Sequence, residues 1–154
     1  MNIISPLHLF LAMYSVFAGA IILRNRKGTV LHTWLGRSFV AAMILTDITA
    51  FLFIPKYGFT WFIALAVLNL TYILIGLWYA LRRPGKLWVV HHFYYFSYAY
   101  LGVLAAALAR VPWIFKSSID FAPIISIALV FGIGIPLIER TGKRLRLVFA
   151  NAAS

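Results

Sequence analysis

Residues 3–23, IISPLHLFLAMYSVFAGAIIL, form an unbroken apolar run that ends at once in the basic cluster Arg24, Arg26 and Lys27. A hydrocarbon core about 30 Å thick takes roughly 20 helical residues to cross, so this stretch reads as a membrane span closed by charge. Four further stretches repeat the design, and the spacing predicts spans over about 3–23, 33–54, 59–81, 87–109 and 119–138. The expectation is an all-α, polytopic transmembrane helix bundle forming a single domain over 1–154, with no soluble catalytic domain. Ser5 and Pro6 suit a first helical turn, Pro55 stops the second span, and Arg82-Arg83-Pro84-Gly85 stops the third. Pro112 lies just beyond the fourth, and Ser117 or Ser118 can cap the fifth. The segment from Pro112 to Ser118, with Trp113, Phe115 and Lys116, reads as an interfacial connection.

Basic residues collect where such a threading puts the cytoplasm. Arg24, Arg26, Lys27, Arg82, Arg83, Lys86, Arg140, Lys143, Arg144 and Arg146 fall after the first, third and fifth spans, out of 14 Lys and Arg in the chain. The positive-inside rule then sets the N-terminus outside and the C-terminus in the cytoplasm. The expected location is the bacterial cytoplasmic (inner) membrane, crossed several times. Trp34, Trp61, Trp78 and Trp88 fall near span ends, as an interfacial aromatic belt does. The first span does not read as a cleaved signal peptide, because its positive cluster follows the apolar run.

Composition narrows the chemistry. The chain has 154 residues, 64% hydrophobic and 11% charged, with only 3 acidic side chains, where a soluble domain has about 25% charged residues. The net charge of +11 belongs to helix ends and anionic headgroups. It does not form a basic face with a nucleic-acid module, so the expected partner is the lipid bilayer and not nucleic acid. Cysteine is absent, which excludes disulfides, thiolate zinc and iron–sulfur clusters. Neither a nucleophile elbow nor a zincin motif appears.

Ionisable groups within a span are costly and usually face the bundle. His8 and Asp47 both come out roughly 7–10 Å below the outer boundary at 1.5 Å rise per residue, which makes a His8–Asp47 contact geometrically possible. His8, Ala12, Ser15 and Gly19 share one face of the first span, and small residues allow close helix approach. Asn69, Tyr72, Gly76 and Tyr79 share a face of the third span, and with Thr46, Thr49 and Thr71 they are hydrogen-bonding glue or the lining of a polar path. At the cytoplasmic end, His32 opens the second span while His91 and His92 lie one turn into the fourth. Adjacent helical residues point about 100° apart, and the stripe His91, Tyr95, Tyr98, Gly102 carries the polar handles, which favours His91 over His92 as the inward ring.

The stretch Lys27-Gly28-Thr29-Val30-Leu31-His32-Thr33-Trp34-Leu35-Gly36-Arg37 resembles the start of the second helix in a family of small bacterial membrane proteins of unknown function. In that family a histidine in the first helix precedes a His-x-x-Leu-Gly-Arg motif, and another histidine opens a later helix. His8, His32 and His91 occupy the matching places over residues 5–110, with Arg110 near the closing arginine and Ser97 where an arginine is usual. The resemblance implies a three-histidine pattern and no particular reaction.

Three functions fit these residues. The first is a histidine-ligated haem b or metal protein in membrane electron transfer. Its cofactor would be bound by His32, His91, His92 and Tyr95, its metal by His32, His91 and His8, beside a second polar site of His8, Asp47 and Asn69. Phe39, Tyr94, Tyr95 and Phe96 would supply an apolar pocket, and a quinone or another protein would take the electron. The second is a cofactor-free accessory subunit of a larger membrane complex. The third is a small transporter or proton-conducting protein built on His8, Asp47 and Asn69, although the paired repeats of secondary transporters are not evident.

Overall fold

The computed structural model describes residues 3–114 and 122–151, and every regular element among them is helical. In chain order these are α1 (Ile4–Arg24), α2 (Val30–Phe51), α3 (Ile54–Tyr57), α4 (Trp61–Arg82), α5 (Trp88–Ile114) and α6 (Ala122–Asn151). Four stretches, Ile4–Arg24, Val30–Tyr57, Trp61–Arg82 and Pro123–Ala150, are long and apolar enough to cross a membrane. α5 has the length, but His91, His92 and the tyrosines at 94, 95, 98 and 100 fill its first half with polar tips. Large apolar side chains such as Phe10, Phe17, Leu74 and Ile133 stay exposed, a surface that suits lipid far better than water.

By packing, the chain falls into two compact units, Met1–Leu70 and Thr71–Ser154, with the boundary inside α4. In the first unit α1 packs along α2. The buried residues of α1 are Ser15, Ala18 and Gly19, set against a core that includes Phe39, Ala42 and Met43 of α2. Small side chains on one helix let the other approach, the usual solution where lipid removes the hydrophobic drive to associate. Tyr14 donates to Ser38 Oγ at 2.7 Å across the same pair. The turn between the helices is held from both sides. Lys27 Nζ donates to the carbonyls of Ile22, Leu23 and Asn25 at the end of α1, and Thr29 Oγ1 accepts from His32 N at 3.1 Å to cap α2.

The second span was expected to run to Ile54, yet α2 ends at Phe51 and Pro55 sits in the separate single turn α3. Proline has no N–H to bond the carbonyl four residues back, and it disfavours helical backbone in the residue before it. The break therefore spreads back from Pro55, and Gly58 closes α3 at φ 71°.

In the second unit α5 packs on α6. Gly134 lies against Leu101 and Gly142 against the ring of Tyr94, so closely that a methyl group at either would overlap its neighbour. The second half of α4 joins through Gly76, where a Cβ would meet Phe96 Cε2 at 2.9 Å. Ile73, Ala99 and Ala105 are fully or nearly fully buried here.

The expected end of the fifth span at 138 is passed: α6 continues to Asn151, through Pro136. Ile138 and Gly142 are buried, and Leu145 and Phe149 half-buried, while the charged residues between them are mostly exposed. That spacing of four, three and four residues is one helical stripe, and it carries the helix well past the apolar core of the span. α5 likewise runs past the expected 109 to Ile114. The connection holding Phe115 and Lys116, and the capping serines 117 and 118, lie outside the described residues.

Candidate functional site

The first unit holds a buried carboxylate. Asp47 is 5% exposed, in the Val30–Tyr57 stretch that is apolar enough to span. α2 carries it next to Thr46 and Thr49, also buried. Each threonine returns its hydroxyl proton to its own helix, Thr46 to Ala42 O at 2.8 Å and Thr49 to Thr46 O at 2.8 Å. Neither hydroxyl is thereby spent on the carboxylate. Asp47 Oδ2 accepts instead from Asn69 Nδ2 of α4 at 2.9 Å. The other end of that amide, Asn69 Oδ1, is buried without a hydrogen-bond partner among the described residues.

This pair is short of donors. A carboxylate offers about four lone-pair sites and an amide oxygen two more, and one amide N–H serves them all among the described residues. Burying such acceptors without partners costs about 1–3 kcal/mol each. A proton, a water molecule or a small cation would supply what is missing.

His8 stands nearby in sequence depth and has its own partner. Its Nδ1 lies 2.9 Å from Thr49 Oγ1. Because Thr49 has a single hydroxyl proton and directs it to Thr46 O, the imidazole nitrogen is the donor in this bond. That places the hydrogen of the neutral ring on Nδ1. The ring edge also meets Phe53 at 5.5 Å and 85°. The expected His8–Asp47 contact is thus replaced by two separate bonds, His8 to Thr49 and Asp47 to Asn69, and all four residues belong to the first unit.

The histidines expected at the cytoplasmic end divide between the units. His32 is in the first, half-buried in the opening turn of α2, and its Nδ1 is buried without a partner among the described residues. His91, His92 and Tyr95 are in the second. The stripe His91, Tyr95, Tyr98, Gly102 predicts His91 as the inward ring. In the structure His91 is exposed and stacks on Tyr79 at 4.7 Å and 18°. His92 is the half-buried one, with Nδ1 3.4 Å from Gly76 O and its ring edge against Phe96. Tyr95 stacks on the other neighbour of this set, Tyr79, at 5.7 Å. Among the described residues no three His, Asp or Glu side chains gather as a metal site would require.

Sequence reasoning passed over a second carboxylate. Glu139 of α6 accepts from Tyr98 Oη at 2.7 Å and Tyr94 Oη at 3.3 Å, and those tyrosines, one helical turn apart on α5, stack on each other at 6.2 Å. Glu139 fell one residue past the expected end of the fifth span. The signal that could have found it is the stripe Ile138, Gly142, Leu145, Phe149, which shows the helix still facing α5 at that point.

Compared with protein-family models, with curated proteins and with solved structures, the chain matches none of them.

Proposed function

We propose that this chain is a multi-pass protein of the bacterial inner membrane, five spans with the N-terminus outside and the C-terminus in the cytoplasm, that moves protons or a small solute coupled to them. Asp47 is the group that gains and loses the proton. Asn69 orients the carboxylate, and His8, fixed through Thr49, is a second polar station at similar depth. The observation that carries this reading is the Asp47–Asn69 pair: a deeply buried carboxylate with one donor, beside an amide oxygen with none. A carboxylate kept only for packing would be expected to collect more donors, since an ionised side chain at membrane depth is costly and is retained where it works.

The test is proton flux into liposomes holding the purified protein and a trapped pH-sensitive dye, driven by a potassium diffusion potential. The intact protein acidifies the lumen, and Asp47→Asn stops it. Unchanged flux in Asp47→Asn, with the protein folded and inserted, sinks the proposal.

A second reading rests on His32. Its buried Nδ1 has no partner among the described residues, so the ring is not committed to another side chain and can serve a haem or a metal ion through Nε2, with the electron passing to a quinone or a partner protein. A visible absorption band in the purified protein that disappears in His32→Ala would favour it over proton movement.

A further inference from the structure

We infer that the second unit seats the headgroup of an anionic phospholipid at the turn between α4 and α5. A cavity of about 660 Å³ opens there, lined by Trp78, Tyr79, Lys86, Leu87, His91 and Phe149 among others. Three of these rings give it apolar walls, and Lys86 and His91 give it two nitrogen donors. The turn itself is cationic: Arg82, Arg83 and Lys86 fall within five residues. Pro84 and Gly85 shape it, with Arg83 at φ 49° and Gly85 at φ 71°. Arg83, held in this left-handed conformation that side chains rarely adopt, lays its guanidinium over the Trp88 ring at 5.1 Å, which keeps a second charge at the same turn. His91 is stacked face-on against Tyr79, so its ring nitrogens point out of the stack edge, and neither has a hydrogen-bond partner among the described residues.

Two features select a phospholipid over a soluble anion. A free phosphate would leave most of this apolar cavity empty. And Trp78, which lines the cavity, also belongs to an exposed apolar row on α4, with Leu74 52%, Trp78 49% and Leu81 71% exposed. Those positions share one face at four- and three-residue spacing, so an acyl chain leaving the cavity has an apolar track beside it. Charge selects an anionic headgroup over a zwitterionic one, because basic residues at the membrane surface attract anionic lipid.

The full chain, purified in mild detergent, is titrated with phosphatidylglycerol brominated in its acyl chains, and tryptophan fluorescence is read as bromine quenches it. Saturable quenching is expected, about tenfold tighter than with brominated phosphatidylcholine. Trp78→Phe removes the saturable part, and Lys86→Gln weakens it about fivefold while Lys86→Arg does not. Millimolar inorganic phosphate leaves the titration unchanged. Equal quenching by the two lipids, or displacement by phosphate alone, overturns the assignment. Both of those readings use the unaltered chain, so they decide the matter even if a variant fails to fold.

Discussion

The two carboxylates among the described residues solve one physical problem in opposite ways. Asp47, in the first unit, is nearly sealed from the surface and receives a single amide N–H, with an unpartnered oxygen beside it. Glu139, in the second, is half-buried and receives two phenol hydroxyls from one face of α5. Hydrogen bonds to a charged acceptor are worth about 1.5–3 kcal/mol each. Glu139 thus behaves as a clamp between α5 and α6, tightened by the glycine at 142 that lets the Tyr94 ring come close. Asp47 makes a single link, from α2 to Asn69 of α4. On the proposed reading, the deep carboxylate with a single donor is kept for exchange, and the one with two phenol donors is kept for packing.

The largest contrast expected between them is in proton movement. Asp47→Asn should lower flux by about 100-fold or more, the scale of losing a positioned proton-transfer group, whereas Glu139→Gln should leave flux within about twofold of the intact protein. Stability should respond in the reverse sense. Asp47→Asn removes a buried charge and keeps the shape, so resistance to unfolding in detergent should hold or rise. Glu139→Gln weakens two charge-assisted bonds and should cost about 1–2 kcal/mol. If both substitutions stop flux, the division between exchange and clamp is broken.

Next in size is the seam under the clamp. Gly142→Ala puts a methyl group into the Tyr94 ring, and overpacking of this kind costs about 1–3 kcal/mol, with the upper end expected because Tyr94 also holds Glu139. Gly132→Ala, on the same helix with nothing near its Cβ position, should stabilise by up to about 1 kcal/mol through helix propensity alone. Equal effects from the two, measured by unfolding in mixed detergent, would mean that α5 and α6 are not held at this distance. Tyr98→Phe should then cost about 2 kcal/mol and Tyr94→Phe less than half of that, since a 2.7 Å bond to a carboxylate is short and a 3.3 Å bond is weak.

Four of the five expected apolar stretches were legible in the sequence because a bilayer imposes one length on every crossing helix. The inward face of α1 was legible for a related reason: small residues three and four apart at Ser15 and Gly19 are a packing signal that needs no partner to be read. What misled was charge. Glu139, Arg140, Lys143, Arg144 and Arg146 look like a solvated tail, and they hide the stripe that keeps α6 helical to Asn151. Pro55 was read as ending α2 at its own position, although its effect reaches the preceding turn. At the candidate site the residue types at Asp47, Asn69 and His8 were visible, but their pairing was not. Depth along a helix places two side chains at one level and says nothing of the angle between them, and Thr49 rather than Asp47 lies at the angle of His8.

The smallest effect separates the two ways a helix of the first unit begins. α1 starts at Ile3 with no side-chain cap, and α2 starts at Thr29, whose hydroxyl accepts from His32 N. Thr29→Ala should cost about 1 kcal/mol, the usual value of an N-cap, while Thr29→Ser should cost almost nothing. Ile3→Ala should cost less than Thr29→Ala, because no cap bond is lost there. The Thr29 hydroxyl also lies 3.2 Å from Arg26 O, within the turn that Lys27 ties to the end of α1. A loss well above 2 kcal/mol in Thr29→Ala would therefore show that the turn, and not the first turn of α2 alone, depends on it, and that the start of α2 carrying His32 is held more firmly than a cap can hold it. Thermal unfolding of the three variants, read by circular dichroism in the same detergent, distinguishes these outcomes.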